Sequence, residues 1–204
     1  MVKHKSTAAF FDFDGTLYNG IITFDYIIFL VRRLESLRKM NPNMALIIPK
    51  LFFYWLSDKL NLADREDINR KVYKMSRGID AEWIQSNARN FFKESVNGRN
   101  FFCNSIKILE QHRKQNHKVI IVTSALKEII NPVKSVLKID DILASEVEKN
   151  KGIFTGTIIS LPVGKNRLNV IKDYCRRKNI DLKNSFAYSD HHSDISLLEY
   201  VGHP

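Results

Sequence analysis

The chain has 204 residues, 32 basic against 22 acidic, for a net charge of +10. With 44% hydrophobic and 11% aromatic residues it can bury a core, so disorder is excluded and one ordinary domain, or a core carrying an insertion, is expected. Its two cysteines, Cys103 and Cys175, match no metal or redox spacing, and the short polar stretch from Met1 to Thr7 reads as no signal peptide, so a reduced, cytoplasmic protein is expected.

The first apolar run, Ala8-Ala9-Phe10-Phe11, reads as a buried parallel strand over 7–12. From Thr23 to about Asn97 no strand pattern is convincing. Phe24, Ile27, Ile28, Val31 and Leu34 recur at helical spacing, Asp64 with Asp67 marks a helix start, and Asp80-Ala81-Glu82 opens a helix through Trp83, Ile84, Ala88, Phe91 and Phe92. The longest apolar stretch, Met44 to Leu56, is interrupted by Pro49 and Lys50 and is too short to span a membrane, which takes about 20 residues. It reads as a core helix of a helical insertion; an interfacial helix on a membrane surface is the alternative.

Beyond this stretch the pattern changes. A helix through Ile106 and Leu109 precedes a second buried strand over 118–123. A helix over 126–137 is kinked or split by Pro132. A short strand over 142–145, a hairpin strand over 154–159 and a helix over 165–178 follow, and a last strand over 185–189 ends at Asp190. Strands alternating with helices predict an α/β fold: a Rossmann-like, doubly wound parallel sheet. The expected division is a core of residues 1–19 and 99–204, with residues 20–98 as an inserted all-helical cap.

Such sheets collect their chemistry at the carboxyl ends of strands. There stand Asp12 and Asp14, Thr123 and Ser124, and Asp190 and Asp194. Two acids ending a buried strand are costly without a role. One can attack as a nucleophile and hold a cation while the other transfers protons; the alternative is a turn with solvated acids. Gly15 lets the chain turn and Thr16 offers a hydroxyl beside it. The basic residues are scattered, without a long block, and most read as solvated surface. The balance still favours anionic partners: a small phosphorylated substrate or an anionic lipid surface, with nucleic acid disfavoured by the absence of a basic tract.

The ordered set Asp12-Phe13-Asp14-Gly15-Thr16, Thr123-Ser124, Lys165 and Ser189-Asp190-His191-His192-Ser193-Asp194 resembles the four motifs of the haloacid dehalogenase superfamily. It is most similar to the phosphoserine-phosphatase-like branch with a helical cap. The resemblance covers nearly the whole chain. It implies a Mg²⁺-dependent phosphatase working through an aspartyl-phosphate on Asp12, with Asp14 as general acid and base. It assigns the metal to Asp12, the Asp14 carbonyl and Asp190, with Asp194 in support. Thr16, Thr123 or Ser124, and Lys165 are expected around the phosphoryl group.

A phosphotransferase using the same intermediate, or a basic nucleic-acid- or membrane-binding protein on this fold, are the rival readings. Phosphoserine phosphatases carry a Glu shortly after the first motif to bind the serine amine; Ile21 and Ile22 occupy that neighbourhood here. With the apolar 51–56 stretch, this turns attention to a lipid phosphate. His191 and His192 read as a solvated loop pair, or as contacts to phosphate or a softer metal.

Overall fold

The computed structural model describes residues 5–33, 50, 53 and 64–204. Its centre is β1 (Ala8–Asp12), buried along its whole length because both of its faces are apolar. Ala8 and Phe10 pack with Ile120, Val122, Ile171 and Ala187 on one side, and Ala9 and Phe11 join Val119, Ile121 and Leu109 on the other. A strand apolar on both faces is stable only between two covered layers. Accordingly β1 is flanked by two parallel neighbours, β2 (Lys118–Leu126) and β5 (Phe186–Tyr188).

The sheet order is β4-β3-β2-β1-β5. β3 (Asp141–Asn150) is parallel to β2, and β4 (Ile153–Ser160) returns antiparallel to β3. The hairpin between them turns on Lys151 and Gly152, both at positive φ (50° and 84°), the backbone that a two-residue turn between twisted strands demands. β3 runs over 10 residues where the apolar run suggests only 142–145, because its second half pairs only with β4 and has one partly solvated face. Its pattern there, Glu146 to Asn150, is too polar to register as a strand.

Among the described residues, α1 (Ile22–Arg32), α2 (Arg65–Lys74) and α3 (Ala81–Glu94) lie between β1 and the next core element. The Asp64 and Asp80 side chains cap α2 and α3, accepting from Glu66 N and from Glu82 and Trp83 N, as Asp at a helix start commonly does. In α1 the buried stripe is Ile22, Tyr26, Phe29 and Leu30, while Val31 is exposed. The helix is therefore rotated from the Phe24–Ile27–Val31 face that spacing alone favoured. The cause is Tyr26, whose ring packs edge-on to Phe91 and whose hydroxyl donates to Ile84 O at 3.0 Å. Of the apolar 44–56 stretch only Lys50 and Phe53 lie among the described residues, and Phe53 is exposed.

After α3 the described α-helices are α4 (Cys103–Lys114), α5 (Lys127–Ile130), α6 (Val133–Val136), α7 (Gly164–Lys178) and α8 (Ile195–Leu198). Pro132 splits the expected 126–137 helix into α5 and α6. No helix among the described residues is long and apolar enough to cross a membrane.

At the C-terminal end of α4, His112 is buried with both ring nitrogens engaged. Nδ1 meets His117 Nδ1 at 2.8 Å and Nε2 meets the Tyr188 hydroxyl at 2.8 Å. Burial, and then the nearby His117, hold His112 below the usual imidazole range. The unfolded chain therefore binds more protons than the folded one once pH drops below about 6.5. Stability should be fully present above that pH and fall as pH decreases towards the folded value. Thermal unfolding from pH 7.5 to 5 should show this slope, and His112→Gln should flatten it.

Candidate active site

β1 ends in Asp12 and hands the chain to a tight turn. Leu17 N and Tyr18 N both donate to Phe13 O, at 3.0 and 2.8 Å, and Gly15 N donates back to Tyr18 O at 2.9 Å. Gly15 has φ +80°, and a Cβ there would stand 2.2 Å from Asp190 Oδ2. Glycine is thus required twice, for its backbone and for room. Gly15→Ala should cost about 1–2 kcal/mol from the left-handed backbone alone, measurable by denaturant unfolding, and should displace Asp190.

The turn faces Asp14 and Thr16 differently. Asp14 Oδ1 accepts from Ile22 N at 2.8 Å, which seats the carboxylate at the N-terminus of α1, where the helix dipole favours negative charge. Thr16 Oγ1 donates to Asp190 Oδ1 at 3.0 Å, so this hydroxyl ties the first turn to the end of β5.

The second strand end is irregular. Between Val122, paired with Leu143, and Leu126, paired with Ser145, β2 carries more residues than β3 and bulges. Thr123 and Ser124 sit in that bulge. The Ala125 N–H donates to Thr123 Oγ1 at 3.1 Å, which leaves the buried Thr123 hydroxyl its own proton to donate. Ser124 turns its carbonyl inward, where it accepts from Ser145 Oγ at 2.7 Å and from the Tyr73 hydroxyl.

The cation that reaches the carboxylates is Arg167. Its NH2 lies 3.2 Å from Asp12 Oδ1, its NH1 2.5 Å from Asp194 Oδ2, and its Nε donates to Pro162 O at 3.2 Å. Lys165, two residues earlier, is exposed and makes no ion pair among the described residues. Two residues are a little over half a helical turn, so the two side chains point to opposite sides of α7. The buried stripe of α7 is Arg167, Ile171, Tyr174 and Cys175. A basic residue in phase with that apolar stripe was the signal in the sequence that distinguishes Arg167 from Lys165.

Asp194 is 1% exposed and spends its oxygens on protein partners. Oδ2 accepts from Arg167 and from the Ser189 hydroxyl, and Oδ1 from Ser193 Oγ at 3.3 Å. It orients Arg167. Asp190 is exposed, pressed against Gly15. His191 closes its own turn, its Nδ1 3.1 Å from Ser193 N and 2.8 Å from Ser193 Oγ, and the His192 ring lies beside it, tilted by 34° with centroids 4.2 Å apart.

Burial pushes the Asp12 carboxyl up, Arg167 opposes that, and Asp194 adds to it. Burial also works against the Arg167 charge, but Asp12 and Asp194 more than offset it and keep the guanidinium protonated. Asp12 Oδ1 is fixed by Phe13 N at 2.8 Å and by Arg167. Oδ2 carries no hydrogen bond among the described residues.

Three carboxylates, Asp12, Asp194 and Asp14, act on one guanidinium, and Asp190 stands on the other side of the first turn against Gly15. This excess of negative charge would repel an anionic substrate without a further cation. Among the described residues no three His, Cys, Asp or Glu side chains converge as a metal-binding group. The oxygens without a hydrogen bond from the protein among the described residues, Asp12 Oδ2 and Asp190 Oδ2 beside Gly15, are few and hard. That set suits Mg²⁺, which binds through one or two carboxylates and keeps several waters. A cavity of about 570 Å³ borders Asp190, between Gly15–Thr16, Phe102–Ser105 and Tyr188–Asp190; Asp12, Thr123 and Arg167 do not line it.

Residues 9–199 match the family model of the haloacid dehalogenase-like hydrolases. A probable phosphatase of Mycobacterium tuberculosis (strain ATCC 25618 / H37Rv) is 24% identical over 97% of this chain and 67% of that protein. Among solved structures, a protein of unknown function from Bordetella pertussis Tohama I superposes with a TM-score of 0.77 at 16% identity, covering 97% of this chain and 88% of that one. A substrate-bound phosphoserine phosphatase complex superposes with a TM-score of 0.63 at 15% identity, covering 98% and 85%.

Proposed function

The chain belongs to the haloacid dehalogenase-like hydrolase family, and from that premise we propose that it is a phosphomonoester phosphatase acting through an aspartyl-phosphate on Asp12. The observation that carries this reading is the Asp12 carboxylate, held at one oxygen by Phe13 N and Arg167 with the other turned out. A side chain anchored this way is oriented before substrate arrives, and phosphoryl transfer depends mainly on such positioning and on electrostatics.

In this reading Asp12 Oδ2 attacks phosphorus and the ester P–O bond breaks. The departing alkoxide takes a proton from the Asp14 carboxyl. Asp14, now ionised, takes a proton from water as that water attacks phosphorus, and phosphate leaves with Asp12 restored. The Thr123 hydroxyl donates to a phosphoryl oxygen. Arg167 neutralises charge as it passes from Asp12 to the phosphoryl group, and Asp194 with Ser189 holds Arg167 in place. The geometry favours Arg167 over Lys165 for this part.

Mg²⁺ held by Asp12, the Asp14 carbonyl and Asp190 would supply the positive charge that lets two anions meet. Helices α1 to α3 are proposed as part of a cap over the strand ends. The substrate is proposed to be a small phosphorylated metabolite or a lipid phosphate, and transfer to an acceptor alcohol would use the same steps with alcohol in place of water.

The test is phosphate release from a panel of esters: an aryl phosphate, phosphoserine, sugar phosphates, nucleotides and a phospholipid-derived monoester. With Mg²⁺ we expect turnover of at least one, and a loss of about 100-fold or more on chelation. Absence of turnover across the panel, by folded protein with metal and with or without an acceptor alcohol, would overturn the reading.

A further inference from the structure

Where β2 bulges, the Ser124 carbonyl leaves the sheet ladder and turns into the interior. A buried carbonyl without a partner is costly, and this one has two. Ser145 Oγ, from the neighbouring strand β3, donates at 2.7 Å, and the Tyr73 hydroxyl donates from α2. Both donors are buried, Ser145 completely. Ser145 belongs to the sheet that forms the bulge. Tyr73 comes from a helix 51 residues away in sequence and is the described side chain that ties α2 directly to the Thr123–Ser124 turn.

α2 is itself anchored. Its last turn lies against β4, where Gly156 lets the Lys74 carbonyl approach; a Cβ at Gly156 would be 3.0 Å from it. The segment after α2 continues this docking, with Gly78 N donating to Phe154 O and Phe154 N to Ile79 O, both at 2.9 Å. Ser76 Oγ donates to Tyr73 O at 2.7 Å. The tyrosine is thus braced from behind before it reaches Ser124. Burial pushes the Tyr73 hydroxyl well above its ordinary range against an opposing hydrogen bond with Ser145, and the charges of Asp14 and Glu128 add to the rise, so it stays a proton donor through the working pH range.

We propose that Tyr73 is a positioning residue: its hydroxyl, with that of Ser145, holds the Ser124 carbonyl inward and so presents the Thr123–Ser124 turn to the phosphoryl group. This rests on the phosphatase reading and adds to it a dependence of phosphate binding on the seating of α2. Because the phosphoryl group is common to every ester, the effect is on all substrates alike. Because two donors share one acceptor, removing either leaves the carbonyl satisfied in part, and removing both orphans it.

The experiment compares wild type with Tyr73→Phe, Ser145→Ala and the double variant. The readouts are kcat and KM on an aryl and an alkyl phosphate, the inhibition constant of orthovanadate (an oxyanion that mimics the transferring phosphoryl group), and the thermal midpoint. Each single variant should weaken vanadate binding and kcat/KM by about tenfold. The factor should be equal for both esters, with a midpoint within a few degrees of wild type. The double variant should lose more than the product of the two. Two results would overturn the inference alone: vanadate inhibition unchanged within about twofold in the folded double variant, or a loss confined to one ester. A wild type that neither turns over esters nor binds vanadate would overturn the phosphatase reading and this inference with it.

Discussion

Asp12→Asn should abolish phosphate release, by on the order of 10⁴-fold or more, while leaving the fold intact. The two halves of that expectation have separate causes. An amide oxygen is a far poorer nucleophile than a carboxylate oxygen and cannot form the acyl phosphate. The same amide still offers a carbonyl oxygen to Phe13 N and to the Arg167 guanidinium, the two contacts that Asp12 Oδ1 makes. Arg167 also keeps Asp194 as its partner at 2.5 Å. The variant therefore loses the reacting atom without losing the packing, and its thermal midpoint should lie within a few degrees of wild type. The decisive measurement is phosphate release by both proteins on the preferred ester, with circular dichroism melts alongside. Residual activity within tenfold of wild type would remove Asp12 from the reaction.

Arg167→Ala should be costly twice over. Removing the guanidinium leaves Asp12 and Asp194 buried without their cation, and breaking a buried pair from one side typically costs about 3–5 kcal/mol. It also removes the donor aimed at the charge that builds on the phosphoryl group, an effect of about 10²–10³-fold in rate. Arg167→Lys should recover part of the stability but little of the rate, since one ammonium cannot hold Asp12, Asp194 and Pro162 O together. Lys165→Ala should change kcat/KM by less than about threefold, because that side chain stands in solvent. The reverse ranking, with Lys165→Ala inactive and Arg167→Ala active, would overturn the assignment of the cation.

Some of this is legible in the amino-acid sequence. Apolar run length and turn chemistry are local properties, so β1, the Asp64 and Asp80 helix starts, the break at Pro132 and the last strand before Asp190 all stand where the residues place them. Acids at the ends of apolar strands are equally visible, because burying charge is too costly to be incidental. The parallel sheet then gathers Asp12, Thr123 and Asp190 along one edge.

What the chain could not declare was the direction in which side chains point. Lys165 and Arg167 are both basic residues at the start of one helix, and a rotation of about 200° separates them. The phase of Arg167 with Ile171, Tyr174 and Cys175 is a local signal, but only the packing of that stripe against the sheet placed the guanidinium at Asp12. The rotation of α1 was decided in the same way by Tyr26 against Phe91, and the hold of Tyr73 on Ser124 by the docking of α2 onto β4. Residue type and local pattern thus determined the elements and the chemistry at their ends. The tertiary structure alone decided which side chains meet, because contacts between distant segments depend on how whole elements are rotated and seated.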